Sequence, residues 1–195
     1  MNPLRSMILA LFNRRAEKTL KDVVKLLPLH EKAAVADLGC GGGIYSLEFA
    51  ERIGEQGEVY AIDVNASHLA YTREKLRKAG IVERLTLVLA EENDSLLPDA
   101  SVDLIFSRNS YHHIKDPVGY FKKISRALKP GGSLAVIDYI GNTGSGGSAQ
   151  HTHHRQGHST KPETIRGDLA EAGFRCVSQY DHLPGQSFQI FEKAG

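Results

Sequence analysis

The sequence predicts an α/β protein built on a doubly wound, mostly parallel seven-stranded sheet with a C-terminal antiparallel strand pair. Three observations carry this expectation. Short apolar runs alternate with helical patterns, the rhythm of strand, crossover and strand. The first such run, Val35-Ala-Asp-Leu38, breaks into Gly39, Gly41 and Gly43 before a helical pattern opens at Ile44. The second, Val59-Tyr-Ala-Ile62, ends on Asp63. Glycines are wanted where backbone must turn tightly and let a ligand come close, and an acid at the next strand end suits ribose hydroxyls.

The elements follow in order. The chain up to Pro28 reads as one amphipathic helix or two, a cover over residues 1–30. Ala33–Leu38 is a buried strand, Ile44–Ile53 a helix and Glu58–Ile62 the second strand. Asn65 is placed to cap a helix over Ala66–Ala79, with Leu69, Thr72 and Leu76 on one face and Gly80 as its stop. Arg84–Leu89 and Val102–Phe106 are the third and fourth strands. Pro117–Leu128 is helical, and the turn Lys129-Pro-Gly-Gly132 opens a strand over Ser133–Asp138. Residues 139–160 are rich in glycine and histidine and without period, a loop of roughly twenty residues that reads as a lid. Thr160 and Glu163 have the spacing of a capping box for a helix over Pro162–Ala172. Phe174–Gln179 and Ser187–Glu192 close the chain as the antiparallel pair. No repeat is visible, so the 195 residues read as a single domain.

Composition narrows the partners. Lys plus Arg is 24 against Asp plus Glu 23, a balance that argues against a nucleic-acid surface. Cys40 and Cys176 are far apart and form no CxxC pair, which suits a reducing, cytoplasmic setting. Met7–Phe12 is apolar but too short to span a bilayer, and Arg14-Arg15 follow it rather than precede it as in a secretory signal. A soluble protein, monomer or homodimer, with no stable membrane insertion is expected.

Two cofactor classes use a glycine turn after a strand. The dinucleotide fingerprint G-x-G-x-x-G wants a third glycine where this chain has Ile44, and no P-loop lysine follows. A G-x-G-x-G turn preceded by Asp37 suits a zwitterionic methionine tail beside a nucleoside. Residues Val35 to Asp138 resemble a class I S-adenosylmethionine-dependent methyltransferase of the small, domain-only type with a Rossmann-like sheet. The resemblance rests on Ala36-Asp-Leu-Gly-Cys-Gly-Gly-Gly43, on Asp63, on Ser101-Val-Asp-Leu-Ile-Phe-Ser107 and on Leu128-Lys-Pro-Gly-Gly132.

It implies S-adenosylmethionine as cofactor, S-adenosylhomocysteine as product, and the following cofactor residues. Asp37 would sit by the methionine amino group, and Gly39 and Gly41, with Cys40 packed between them, would line the cofactor through backbone. Asp63 would take the ribose hydroxyls, and Val64 would pack on the adenine. Glu91 stands where many relatives carry an aspartate for the adenine amino group; it is a methylene longer, with Glu92 beside it to share the contact. Ser107 and Arg108 would flank the methionine tail.

The acceptor side is read from residues beyond the fourth strand, at the sheet end where ligands bind in open α/β folds. A histidine there can remove a proton from an acceptor hydroxyl or amine, so His112 and His113 are the candidate catalytic residues. Tyr-His-His also resembles a family feature that serves packing and helix entry. Tyr45, Tyr111, His154 and His158 are candidate substrate contacts. The spacing of His154 and His158 would suit a metal on a helix, but the glycine-rich surroundings read as a solvated loop, and no metal is expected. The Asn/Asp-Pro-Pro-Tyr signature of nucleobase amino methylation and a Pro-Cys nucleophile are both absent. A small-molecule acceptor is therefore expected. The alternatives are a nicotinamide-dependent oxidoreductase on a similar sheet, and a protein that keeps the cofactor fold to bind a partner without turnover.

Overall fold

Strand character in this chain follows burial on two faces: Ala34–Leu38 (β1) is buried at every position, as a strand covered on both sides must be. The computed structural model describes residues 3–140 and 159–194. Helix α1 (Pro3–Leu26) leads into β1, then come α2 (Ile44–Arg52), β2 (Glu58–Asp63), α3 (Ala66–Lys78) and β3 (Leu85–Leu89). The second half runs through β4 (Val102–Arg108), α4 (Pro117–Ile124), β5 (Leu128–Tyr139), α5 (Pro162–Glu171), β6 (Phe174–Tyr180) and β7 (Gln186–Lys193).

The seven strands lie in the order β3-β2-β1-β4-β5-β7-β6. The first five are parallel, while β7 pairs antiparallel with both β5 and β6. Two apolar layers hold it. On one face Val23 and Val24 of α1 and Phe49 of α2 pack on Val35, Leu104, Phe106 and Phe188. On the other, Phe121 and Ile124 of α4 and Ile165 and Leu169 of α5 pack on Ala36, Ile105, Leu134 and Val136. Each of the Val, Leu, Ile and Phe side chains among these, withdrawn from water, contributes about 1.5–3 kcal/mol. Chain order reverses between β1 and β4, so their carboxyl ends form the switch point at which open α/β sheets bind ligands.

Three local expectations are corrected. The helix from Pro117 ends at Ile124; a 3-10 turn covers Ser125–Ala127, and Leu128 already belongs to the strand, paired with Val102. Lys129–Gly132 is therefore not a turn that opens β5 but an irregularity within it: the register jumps from Val102 to Leu104 and resumes at Ser133. Proline, which cannot donate to a ladder, fits such a site. The capping box of Thr160 with Glu163 does not form. Pro162 at the first helical position moves the cap to Lys161, and Glu163 meets Arg166 at 3.4 Å instead. The Asn65 cap does form, accepting from the Ser67 amide at 2.9 Å. The expected lid falls almost wholly on residues 141–158, outside the described residues.

Candidate functional site

The glycine turn is pinned from three sides. The amides of Gly39 and Cys40 both donate to the Ile62 carbonyl of β2, at 2.8 and 2.9 Å. Thr72 of α3 donates to the Gly41 carbonyl at 3.0 Å, and Asn13 of α1 donates to that of Gly42 at 2.9 Å. Gly39 has φ +75, and a Cβ there would stand 2.0 Å from the Ser110 hydroxyl. Gly43 caps α2 in the left-handed region at φ 67. Both positions therefore require glycine. The result is a bare backbone cradle at the end of β1.

Asp63 stands at its rim. One carboxylate oxygen accepts from the Gly41 amide at 3.0 Å and lies 3.1 Å from His68 Nδ1; the other accepts from the Asn65 amide at 2.9 Å. The neighbouring Val64 side chain is 59% exposed, an open apolar surface beside the acid. Asp37 lies below the turn, 3% exposed, and accepts a hydrogen bond from the Ser46 hydroxyl at 2.5 Å. Burial pushes its carboxyl up to about 7, against the pull of that hydrogen bond. Cys40 is buried and burial raises its thiol well above the ordinary range, so it is a packing residue rather than a nucleophile.

Beyond β3, Glu91 is exposed and holds its place through a backbone bridge to Asp94. Glu92 pairs with Lys115 at 2.6 Å on the open surface, and that hydrogen bond lowers its carboxyl below the usual range. Ser107 is fully buried, its hydroxyl without a hydrogen-bond partner among the described residues.

Arg108 reaches under α1. It donates to the Tyr45 hydroxyl, to Thr19 at 3.0 Å and to Gln186 at 2.8 Å, and its guanidinium lies 5.3 Å from the Tyr45 ring centre. Gln186 in turn donates to Asn109. Tyr45 packs on Phe106 with ring centres 4.6 Å apart, and burial raises its phenol above the ordinary range.

Tyr-His-His forms a 3-10 turn just past β4. Tyr111, expected at the substrate, is instead a core residue: fully buried, stacked on Phe121 and donating to Asp168 at 2.7 Å. His113 is exposed. His112 is buried, and the Asp138 carboxylate at the end of β5 receives both its backbone amide (2.9 Å) and its ring Nδ1 (2.7 Å). His154 and His158 lie outside the described residues.

Among the described residues the candidates lie at or just beyond the carboxyl ends of β1, β2, β3 and β4 and on α2, with Tyr111 turned into the core. A groove of about 490 Å³ between α1, α2 and Lys75, lined mainly by charged side chains of both signs, contains none of them. Sequence reasoning missed Asn13, Thr19, His68, Asp138 and Gln186. Asp138 did carry a signal, since Leu134-Ala-Val-Ile-Asp138 ends on an acid as Val59-Tyr-Ala-Ile-Asp63 does. Asn13, Thr19 and Gln186 act from elements distant in sequence and carried none, while His68, five residues past Asp63, reads as an ordinary position on the exposed side of a helix.

Comparison with known proteins agrees with this geometry. Residues 36–136 match the family described as a methyltransferase domain. The ubiquinone/menaquinone biosynthesis C-methyltransferase UbiE of Yersinia pestis (strain Pestoides F) is 30% identical over 175 residues, covering 77% of this chain and 69% of that protein. A SAM-dependent methyltransferase from Aquifex aeolicus superposes with TM-score 0.80 at 25% identity, over 95% of this chain and 97% of the other. The [4+2]-cyclase SpnF shares the fold at 19% identity and TM-score 0.77, over 91% of this chain and 81% of its own.

Proposed function

Because the chain belongs to the methyltransferase-domain family and is an S-adenosylmethionine-dependent methyltransferase, we propose that it methylates a small-molecule acceptor over the carboxyl ends of β1 and β4. The observation that carries the reading is the bare glycine cradle with Asp63 at its rim, sited at the switch point of the sheet. The names of the relatives, C-methyltransferases of quinone biosynthesis, favour a small acceptor. The near-balance of charge supports the same choice. The two cysteines, both free, suit a reducing cytoplasm, and no helix among the described residues is long and apolar enough to cross a membrane.

The residues fit the cofactor. Gly39 and Gly41 offer backbone without side chains to the methionine part, and Asp37 in its ionised form pairs with the ammonium. Asp63 accepts the ribose hydroxyls, and Val64 supplies the apolar surface for adenine. Glu91 and Glu92, just beyond β3, would take the adenine edge, and Ser107 and Arg108, at the end of β4, would border the methionine end.

When bound, S-adenosylmethionine supplies a methyl on a sulfonium, and the electron pair of the breaking bond stays on sulfur. The protein's task is to hold acceptor and methyl roughly 3 Å apart, a contribution that reaches about 7–11 kcal/mol, and to exclude water. Tyr45 and the Arg108 cluster wall the side beneath α1. A neutral acceptor also loses a proton. Of the two histidines His112 is the one built into the site, while His113 faces solvent.

Calorimetric titration with S-adenosylmethionine, S-adenosylhomocysteine and NADH tests the cofactor assignment. Micromolar binding of the two adenosyl compounds, lost in Asp63→Ala, is expected; tight NADH binding alone would restore the oxidoreductase alternative. Transfer of labelled methyl into small-molecule fractions, with tRNA and protein fractions alongside, then tests the acceptor class. Label confined to tRNA or protein would overturn the small-molecule reading.

A further inference from the structure

We propose that His68 holds the place on Asp63 that a ribose hydroxyl needs, so that the cofactor binds by displacing this ring and His68 sets the affinity for adenosyl compounds. The inference rests on the reading of Asp63 as the ribose acid given above. His68 is the third residue of α3, and side chains on a helix lean back toward its start, which brings the ring over the end of β2.

The chain's own groups already engage the carboxylate. Oδ2 accepts from the Gly41 amide at 3.0 Å and lies 3.1 Å from His68 Nδ1, while Oδ1 accepts from the Asn65 amide at 2.9 Å. An ionised carboxylate is an acceptor only, so the ring nitrogen that faces it is the donor, and each oxygen offers about two lone-pair sites. Both sites on Oδ2 are thus taken, and Oδ1 keeps one. A ribose diol brings two neighbouring O–H donors, one for each oxygen, and only one of them finds a place. Burial adds to this: the Asp63 side chain is 8% exposed, so a ligand reaches it only if a covering group withdraws.

Of the three donors, two are fixed. The Gly41 amide belongs to the turn that Thr72 and the Ile62 carbonyl pin, and the Asn65 amide to the capped start of α3. Moving either breaks backbone structure. His68 is a side chain whose ring is 32% exposed, and its contact with Asp63 is the one that rotation about side-chain bonds can release into water. A ligand that must first displace such a group binds with an apparent affinity reduced by the fraction of molecules in which the group is already away. Removing the ring therefore tightens binding, the opposite of what removing a ligand contact does.

The test is calorimetric titration of the full chain with S-adenosylhomocysteine at about pH 8, above the range in which Asp37 keeps its proton. His68→Leu is expected to bind about three- to tenfold more tightly than wild type. A 2′,3′-dideoxy analogue of the same compound, which brings no hydroxyl to Asp63, is expected to bind both proteins within about twofold. Binding by His68→Leu that equals or falls below wild type overturns the proposal and leaves the cofactor reading standing. No binding by wild type overturns the cofactor reading and the proposal with it. A crystal structure of wild type with S-adenosylhomocysteine decides the matter without any variant. It is expected to show a ribose hydroxyl on Asp63 Oδ2 and the His68 Nδ1 more than about 4 Å away, beyond hydrogen-bond reach. A ring still bonded to Oδ2 beside the bound ribose overturns the displacement.

Discussion

Asp37 sits where an ionised carboxylate is least comfortable, under a turn and away from water, with its carboxyl raised from 3.8 to about 7. The folded protein therefore keeps this proton at pH values where the unfolded chain has given it up. Between about pH 4 and pH 7 the folded state binds more protons, so Asp37 makes stability fall as pH rises, by up to roughly 4 kcal/mol. Relative to wild type, Asp37→Asn is expected to gain stability progressively over that range in cofactor-free urea titrations. The same variant is expected to bind S-adenosylmethionine at least about tenfold more weakly at pH 8, where a charged partner for the ammonium is lost. Gly39→Ala is a contrasting change: it forces a side chain into the Ser110 hydroxyl at positive φ. A loss of about 1–3 kcal/mol is expected, and Ser110→Ala would relieve only part of the clash, because the Ser110 Cβ would still stand 2.8 Å away. At this scale the placement of Asp37, Gly39 and Asp63 at strand ends was legible because strand-end signals are local. Tyr111 was misplaced because a tyrosine past a strand end reads the same whether its ring faces a ligand or, as here, Phe121.

Among elements, α1 does more than cover the sheet. Asn13 holds the Gly42 carbonyl and Thr19 holds Arg108, so one helix braces both the cradle and the polar cluster beneath it. Asn13→Ala is expected to leave the apolar seat of Val23 and Val24 intact while speeding amide exchange in residues 40–43, a change that cofactor binding should partly reverse. Asn65→Ala removes a cap with no substitute and should cost about 1 kcal/mol in thermal unfolding. Helices with a local start signal, such as Asn65 before α3, were legible. The end of α4 was not, because Leu128 continues the helical pattern of apolar residues and yet pairs with Val102, a partner that only the folded sheet supplies. Thr160 and Glu163 failed for a related reason: a proline between them fixed the cap one residue later.

Across the whole molecule the alternation of runs predicted the sheet, and the order β3-β2-β1-β4-β5-β7-β6 bears out both the parallel half and the antiparallel close. The long-range parts of the site were hidden because they are products of that order. Gln186 reaches Arg108 because β7 inserts beside β5. A cofactor that ties β1, β2 and β4 together should protect the fold as one unit. At about 100 times Kd it adds about 2.7 kcal/mol, seen as a rise in Tm of roughly 5–10 °C by calorimetry. The buried proton on Asp37 reaches beyond the protein as well. Near pH 7 a share of the empty molecules carries it, and a cationic amine arriving beside that carboxyl expels it. Each binding event should then release a fraction of a proton to the medium. The apparent binding enthalpy will accordingly differ between phosphate and Tris by a fraction of the difference in their heats of ionisation, and an unbuffered solution will turn more acidic as the site fills.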